Sequence, residues 1–203
     1  MRSKNTTKQS LLSAGAQEFA DVGYQQARIV EICKNAETNP ASINYYFGSK
    51  ANFYIAVWDY LMEKADIHSK FSTKEPTSPA ECREMLKQWM LEHTRSFARR
   101  NRAFRLRGIL IHRELLNPSE MFETICDKYL FPRFRHIEKL IAGMNGEEPN
   151  TVDSRVRILA VVANVIFHMN QGALERYYVK SDSFQEDNLD KIIETSLNML
   201  CGK

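Results

Sequence analysis

Residues 38–50 read TNPASINYYFGSK, and this stretch decides how the rest of the chain is understood. Asn39 is a helix N-cap type, and Pro40 suits a first helical turn, where its missing N–H costs nothing. The helix they open runs to Tyr46, about two turns, and breaks at Gly48. Ser49 and Lys50 can start another helix at once. With Ile43 and Phe47 inward, a rotation of about 100° per residue turns Ala41 and Tyr45 outward, flanked by Ser42 and Asn44. A helix this short and polar is not a core element for its own sake. Its outer face has the character a DNA groove requires. Ala41 permits close approach, Ser42 and Tyr45 can bond phosphate or base edges, and Asn44 can pair in bidentate fashion with adenine. The helix N-terminus favours phosphate, as do Lys50 at the next helix start and Arg28 at the start of the preceding one.

Working outward, Leu12, Ala16 and Phe19 fall on one helical stripe between Thr7 and Val22, and Gly23 is a natural stop. A second helix covers Arg28 to Ala36 with Ile29, Ile32 and Cys33 inward, so Pro40 to Tyr46 is the third. A connector helix runs from Ser49 to about Lys70 with Phe53, Val57 and Leu61 inward, and residues 72–79 form a loop. Ser78-Pro79-Ala80-Glu81 opens a helix with Cys82, Leu86, Trp89, His93 and Phe97 on one face. Further helices span Ala103 to Leu116, Ser119 to Met144 (kinked or split at Pro132), Val152 to Val179, and Asp187 to Leu200. No strand of period two stands out. The expectation is an all-α chain of about nine helices. Residues 1–48 form a three-helix helix-turn-helix domain, and residues 49–203 a connector plus a larger C-terminal bundle.

Composition sets limits without choosing a function. The chain has 203 residues, of which 43% are hydrophobic, and scarce Gly (8) and Pro (6) favour helices with short connections. The net charge of +3 argues neither for nor against nucleic acid, so pattern decides. The four cysteines are scattered and none lies in a CxxC, which suits a reduced cytoplasmic protein. The most apolar run, Ile158 to Met169, is interrupted by Asn164 and His168 and falls short of the ~20 residues of a membrane span. It is apolar on every side, so it must be buried on every side. Core plus a subunit interface explains that better than core alone, and with the last helix it is a candidate intersubunit four-helix bundle.

Residues 7–60 resemble the DNA-binding domain of TetR-type transcriptional regulators. The likeness runs through Phe19, Ala20, Gly23 and Tyr24, through Ile29 and Ile32, and through the Tyr-Tyr-Phe-Gly-Ser-Lys segment from Tyr45 to Lys50. Residues 108–178 are similar to the ligand domain of one TetR subgroup, through an HREL segment (His112 to Leu115) ahead of Pro118. The resemblance implies a homodimer on a double-stranded operator. It also implies a C-terminal domain whose small-molecule effector weakens DNA binding, hence a ligand-released repressor. It places the DNA contacts on Arg28, Pro40, Ala41, Ser42, Asn44, Tyr45, Tyr46 and Lys50. The chain departs from the pattern where Glu37 and Thr38 replace the usual Gly and Val of the turn. Glu37 must then adopt the turn without glycine's freedom, and its acid would sit near phosphates.

Trp89, His93, Phe97, His112, Phe122 and His168 are the candidate effector-pocket residues. Their plainer reading is core packing and hydrogen-bonded structural histidines. Aromatic and Met content points weakly to an apolar or aromatic effector. The basic run Arg95, Arg99, Arg100, Arg102, Arg105, Arg107 and Arg113 reads first as a solvated face. Its alternatives are an anionic-ligand site or a contact with the DNA-binding domain. No histidine has a Glu three residues before it, and HExxH, GxGxxG, P-loop and GxSxG patterns are absent. An enzyme is therefore not expected, nor a metal or cofactor. The rival to a ligand-responsive regulator is a DNA-binding or adaptor helical protein without an effector.

Overall fold

Residues 4–65, 75–98, 102–170 and 186–200 are described by a computed structural model of the chain, with side chains omitted at 4, 96–98, 166–170, 186–187 and 200. Helices α1 (Lys4–Gln26), α2 (Ile29–Asn35), α3 (Ala41–Phe47) and α4 (Lys50–Lys64) come first. Then follow α5 (Pro79–Ala98), α6 (Arg102–Leu116), α7 (Phe122–Ile125), a π-helical turn (Cys126–Leu130), α8 (Phe131–Asn145), α9 (Val152–Asn170) and α10 (Glu186–Leu200). There is no strand among the described residues, so the all-α expectation holds. The expected helical stretches 66–70 and 171–179 lie outside those residues. No described helix is long and apolar enough to cross a membrane.

The helices form two compact units: α1–α4 with α6 and α7, and α5 with α8, α9 and α10. In the first unit the predicted stripe is the core: Leu12, Ala16 and Phe19 meet Phe53, Val57 and Leu61, all buried. The rings of Phe19 and Tyr54 are 4.6 Å apart, and those of Tyr24 and Tyr54 5.0 Å apart. Gly15 permits this closeness, because a Cβ there would stand 2.4 Å from the Phe53 ring. The α1 helix breaks where the sequence says it should, at Gly23 (φ 81°).

In the second unit Leu86, Met90 and Leu91 of α5 pack with Ile137, Leu140 and Ile141 of α8, Ile158, Val161 and Val165 of α9, and Leu189, Ile193 and Leu197 of α10. The α5 start is the anticipated cap: the Glu81 amide donates to Ser78 Oγ (3.2 Å) and the Thr77 amide to the Glu81 carboxylate (2.8 Å). The buried Glu138 accepts from Ser154 Oγ (2.6 Å) and the Asn150 amide (3.1 Å), which ties the α8–α9 turn to α8. Pro132 does not stop the helix: the helical backbone runs from Phe122 to Asn145 without a break, and the wider π turn Cys126–Leu130 just ahead of Pro132 accommodates the proline.

Candidate nucleic-acid interface

The helix α3 is held by local chemistry on both sides. Asn39 Oδ1 accepts from the Ala41 amide (2.8 Å), the predicted cap. Gly48 (φ 80°) ends the helix, and Ser49 Oγ accepts from the Asn52 amide (3.1 Å) to start α4. Ile43 is buried as expected. Phe47 is only half-buried, its ring 4.7 Å from that of Phe53 and with Lys8 Nζ above it at 5.8 Å. Pro40, Ala41, Asn44 and Tyr45 are exposed, and Ser42 and Tyr46 half-buried. Tyr45 is 69% exposed, a large apolar surface left in water on the face the sequence assigns to a groove. Tyr46 packs edge-on against Tyr45 at 4.9 Å and supports it. Arg28 is exposed at the start of α2, its amide held by Glu18 (3.3 Å).

The turn ahead of α3 confirms the concern over Glu37. Its φ is +53°, the left-handed region that favours glycine and costs another residue about 1–2 kcal/mol. The Thr38 amide reaches the Cys33 carbonyl (2.8 Å), so the tight turn forms despite the substitution.

Lys50 is half-buried and already engaged. Its ammonium donates to the Gln25 carbonyl (3.3 Å) and lies 5.0 Å over the Tyr24 ring. Burial lowers its pKa, against the opposing pull of Glu120. It joins the start of α4 to the end of α1, and its remaining N–H groups are those available to a phosphate.

Around this corner the structure brings in residues that the sequence reading did not single out. Arg113 Nε donates to the Ala20 carbonyl (2.7 Å) and another guanidinium nitrogen to that of Asp21, a cation at the C-terminal end of the main α1 segment. Glu114 is buried and accepts from Tyr54 Oη and from the Ser119 amide, both at 2.9 Å. Tyr24 Oη donates to Glu120 (2.5 Å). Arg102 reaches Ser13 (3.1 Å) and Gln17 (3.0 Å). The basic run is thus not simply a solvated face. Arg102 and Arg113 bind α1, and Arg107 is buried with its guanidinium over the Phe104 ring. Arg99 and Arg100 lie outside the described residues. A signal for Glu114 was present: it stands one helical turn after Leu110 on the buried stripe of α6.

Burial, with help from Glu120, pushes the Tyr24 hydroxyl up from 10.0 to about 12. The raised value means that the neutral phenol stabilises the fold below the unfolded pKa. This contribution is lost as pH rises from about 10 to about 12. Chemical unfolding across that range should show wild type losing stability relative to Tyr24→Phe; parallel curves would refute the assignment.

Among the candidate pocket residues, Trp89 and His93 meet, with ring centroids 4.4 Å apart on α5. His112 is exposed and Phe122 half-buried, both in the first unit. The side chains of Phe97 and His168 lie outside those described.

The comparisons with known proteins agree with this geometry. Residues 11–57 match the model of the bacterial regulatory proteins of the tetR family. Residues 87–202, more than half the chain, match the C-terminal domain of the HTH-type transcriptional dual regulator CecR. The chain is 25% identical over 175 residues to the CecR regulator of Shigella flexneri, covering 78% of this chain and 74% of that protein. The fold is shared with FadR, a fatty acid degradation regulator from Bacillus halodurans, at TM-score 0.64, 18% identity and coverage of 99% and 97%. It is shared with a TetR-like regulator from Rhodococcus sp. RHA1 at TM-score 0.65, 15% identity and complete coverage of both chains. An exposed α3 held between capped turns and the two family matches lead to one conclusion: this chain belongs to the TetR family of DNA-binding transcriptional regulators, with a C-terminal domain of the CecR type.

Proposed function

We propose that the protein is a homodimeric repressor that leaves its operator when a small molecule binds the C-terminal domain. The observation that carries the DNA-binding part is the exposed face of α3, where Tyr45, Asn44 and Ala41 stand in water while Ile43 anchors the helix. In this reading Arg28, Pro40, Ala41, Ser42, Asn44, Tyr45, Tyr46 and Lys50 contact the duplex. Residues 1–48 supply the reading head, and residues 49–203 the dimerisation and effector functions. Two copies of α3 then enter successive major grooves about 34–36 Å apart.

Support for the dimer comes from α9. Val152, Val156 and Leu159 are 76%, 59% and 62% exposed and recur at helical spacing on one face. Ala160 and Ala163 extend the stripe. An effector that binds the two dimer states unequally would move the recognition helices out of register, by no more than its differential affinity allows.

Operator titration by fluorescence anisotropy tests the contacts. Tyr45→Ala should weaken binding roughly tenfold to a hundredfold, the ~1–3 kcal/mol of a good base contact, without lowering thermal stability. Lys50→Ala should reduce the slope of log affinity against log salt by about one. Wild-type affinity in both variants would refute the docking mode.

A further inference from the structure

Arg133 lies on the core side of α8, one turn ahead of the buried Ile137. It is half-buried, and its Nε is sealed from water with no acceptor in reach. One guanidinium nitrogen donates to the Tyr129 carbonyl, and no carboxylate among the described residues pairs with it. Three other cations of this unit are matched: Arg83 and Lys87 share Glu194 at 2.8 and 2.7 Å, and Arg157 meets Glu147 at 3.1 Å. Burial lowers the Arg133 pKa with no acid opposing it. A guanidinium keeps its proton in proteins, so the charge persists with no carboxylate paired to it among the described residues. Such a group is costly to a fold unless something supplies the anion.

Two further features mark this end of the unit. The π turn Cys126–Leu130, whose Tyr129 carbonyl Arg133 holds, is a helix irregularity often retained at functional sites. Gly143, near the end of α8, lies against Cys82, near the start of α5, where a Cβ would be 2.7 Å from the sulfur. Gly143 and Cys82 meet at the end of one helix and the start of the other, so counting ten residues back along α8 and forward along α5 puts Arg133 at the level of Glu92 and His93 along the helix axes. A cation that meets no carboxylate among the described residues therefore stands at the level of two tilted rings in contact.

We propose that Arg133 is the anion-recognising residue of the effector site, and that the effector carries a carboxylate or similar oxyanion on an aromatic or apolar body. The proposal rests on the effector reading above and gives that effector a chemical class. A guanidinium forms paired N–H bonds to a carboxylate, and the indole and imidazole rings suit a flat apolar body.

The test uses sodium benzoate and its neutral counterpart benzamide, at equal ionic strength, on the full chain. Benzoate should raise the wild-type unfolding midpoint by a few degrees and perturb Trp89 fluorescence, while benzamide should do neither. Arg133→Met should be at least as stable as wild type without ligand, because the uncompensated charge is gone, and should no longer respond to benzoate. Arg133→Gln is the second variant if the first does not fold, with the same loss of response expected. An equal benzoate response in wild type and variant overturns the proposal, and so does no response in wild type. So does a variant that loses stability yet still responds, which would confine Arg133 to holding the Tyr129 carbonyl. Operator release, followed in parallel, separates the two readings: if benzamide releases the operator and benzoate does not, the effector reading stands and the anion falls.

Discussion

Leu159→Glu is expected to leave the protein a monomer at micromolar concentration and to cut operator affinity by about two orders of magnitude. Leu159 is 62% exposed beside Ile158, which is buried, so the substitution faces away from the subunit core. The fold of the single chain should survive it. In a two-fold interface the same change occurs on both subunits, and two carboxylates then enter an apolar seam. Each loses the burial of a leucine, worth roughly 1.5–3 kcal/mol, and adds a charge with no partner. A monomer offers one recognition helix, and losing the linked second site removes on the order of a 10²-fold avidity gain. Light scattering gives the mass and anisotropy the affinity. A wild-type mass equal to one chain would end the dimer mechanism, and a variant that keeps the dimer mass would show that α9 is not the seam.

Glu114→Ala should destabilise the first unit by roughly 3 kcal/mol, because it strands two buried donors at about 1–3 kcal/mol each. These are the Tyr54 hydroxyl and the Ser119 amide, both 2.9 Å from the carboxylate. Burial, reinforced by Glu114, holds the Tyr54 phenol protonated above its ordinary range, as a donor to a carboxylate must be. Glu114→Gln should cost less, since its amide oxygen can still accept one of the two bonds. Tyr54→Phe should cost less in the Glu114→Ala background than in wild type, the mark of a shared interaction. Thermal unfolding of the four proteins closes the cycle. Additive losses would mean that Glu114 and Tyr54 act separately. The same corner holds Arg113 on the α1 carbonyls and Lys50 on Gln25, so operator affinity should fall with stability in Glu114→Ala.

Much of the reading head was legible because its signals are local. Asn39, Gly48 and Ser49 act within a few residues of themselves, and each does in the structure what its chemistry indicates. The period of Leu12, Ala16 and Phe19 likewise needs no partner to reveal an inner face. Pro132 announced an irregularity without saying which kind, since a proline can kink a helix or sit just after a wider turn. Phe47 was less buried than its spacing implied, because α3 ends there and a terminal residue has a neighbour on one side only.

The charged residues of α6 show where sequence runs out. Arg102, Arg107 and Arg113 look alike in a basic run, yet one reaches Ser13 and Gln17, one is buried with its guanidinium over an aromatic ring, and one caps the α1 carbonyls. The partners of Arg102 and Arg113 lie about 90 residues away, and nothing in local spacing encodes which partner each will meet, whereas the ring beside Arg107 is Phe104, one helical turn before it. Sequence alone determined most of the described helices, the inner stripes of α1 and α4 and the short helix α3, because caps, glycines and apolar period act over one or two turns. Only the tertiary structure decided that the α6 guanidinium and carboxylate hold α1 and α4, and that Arg133 meets no carboxylate among the described residues. Pairing of buried charge depends on which distant segments meet, and packing settles that after the helices have formed.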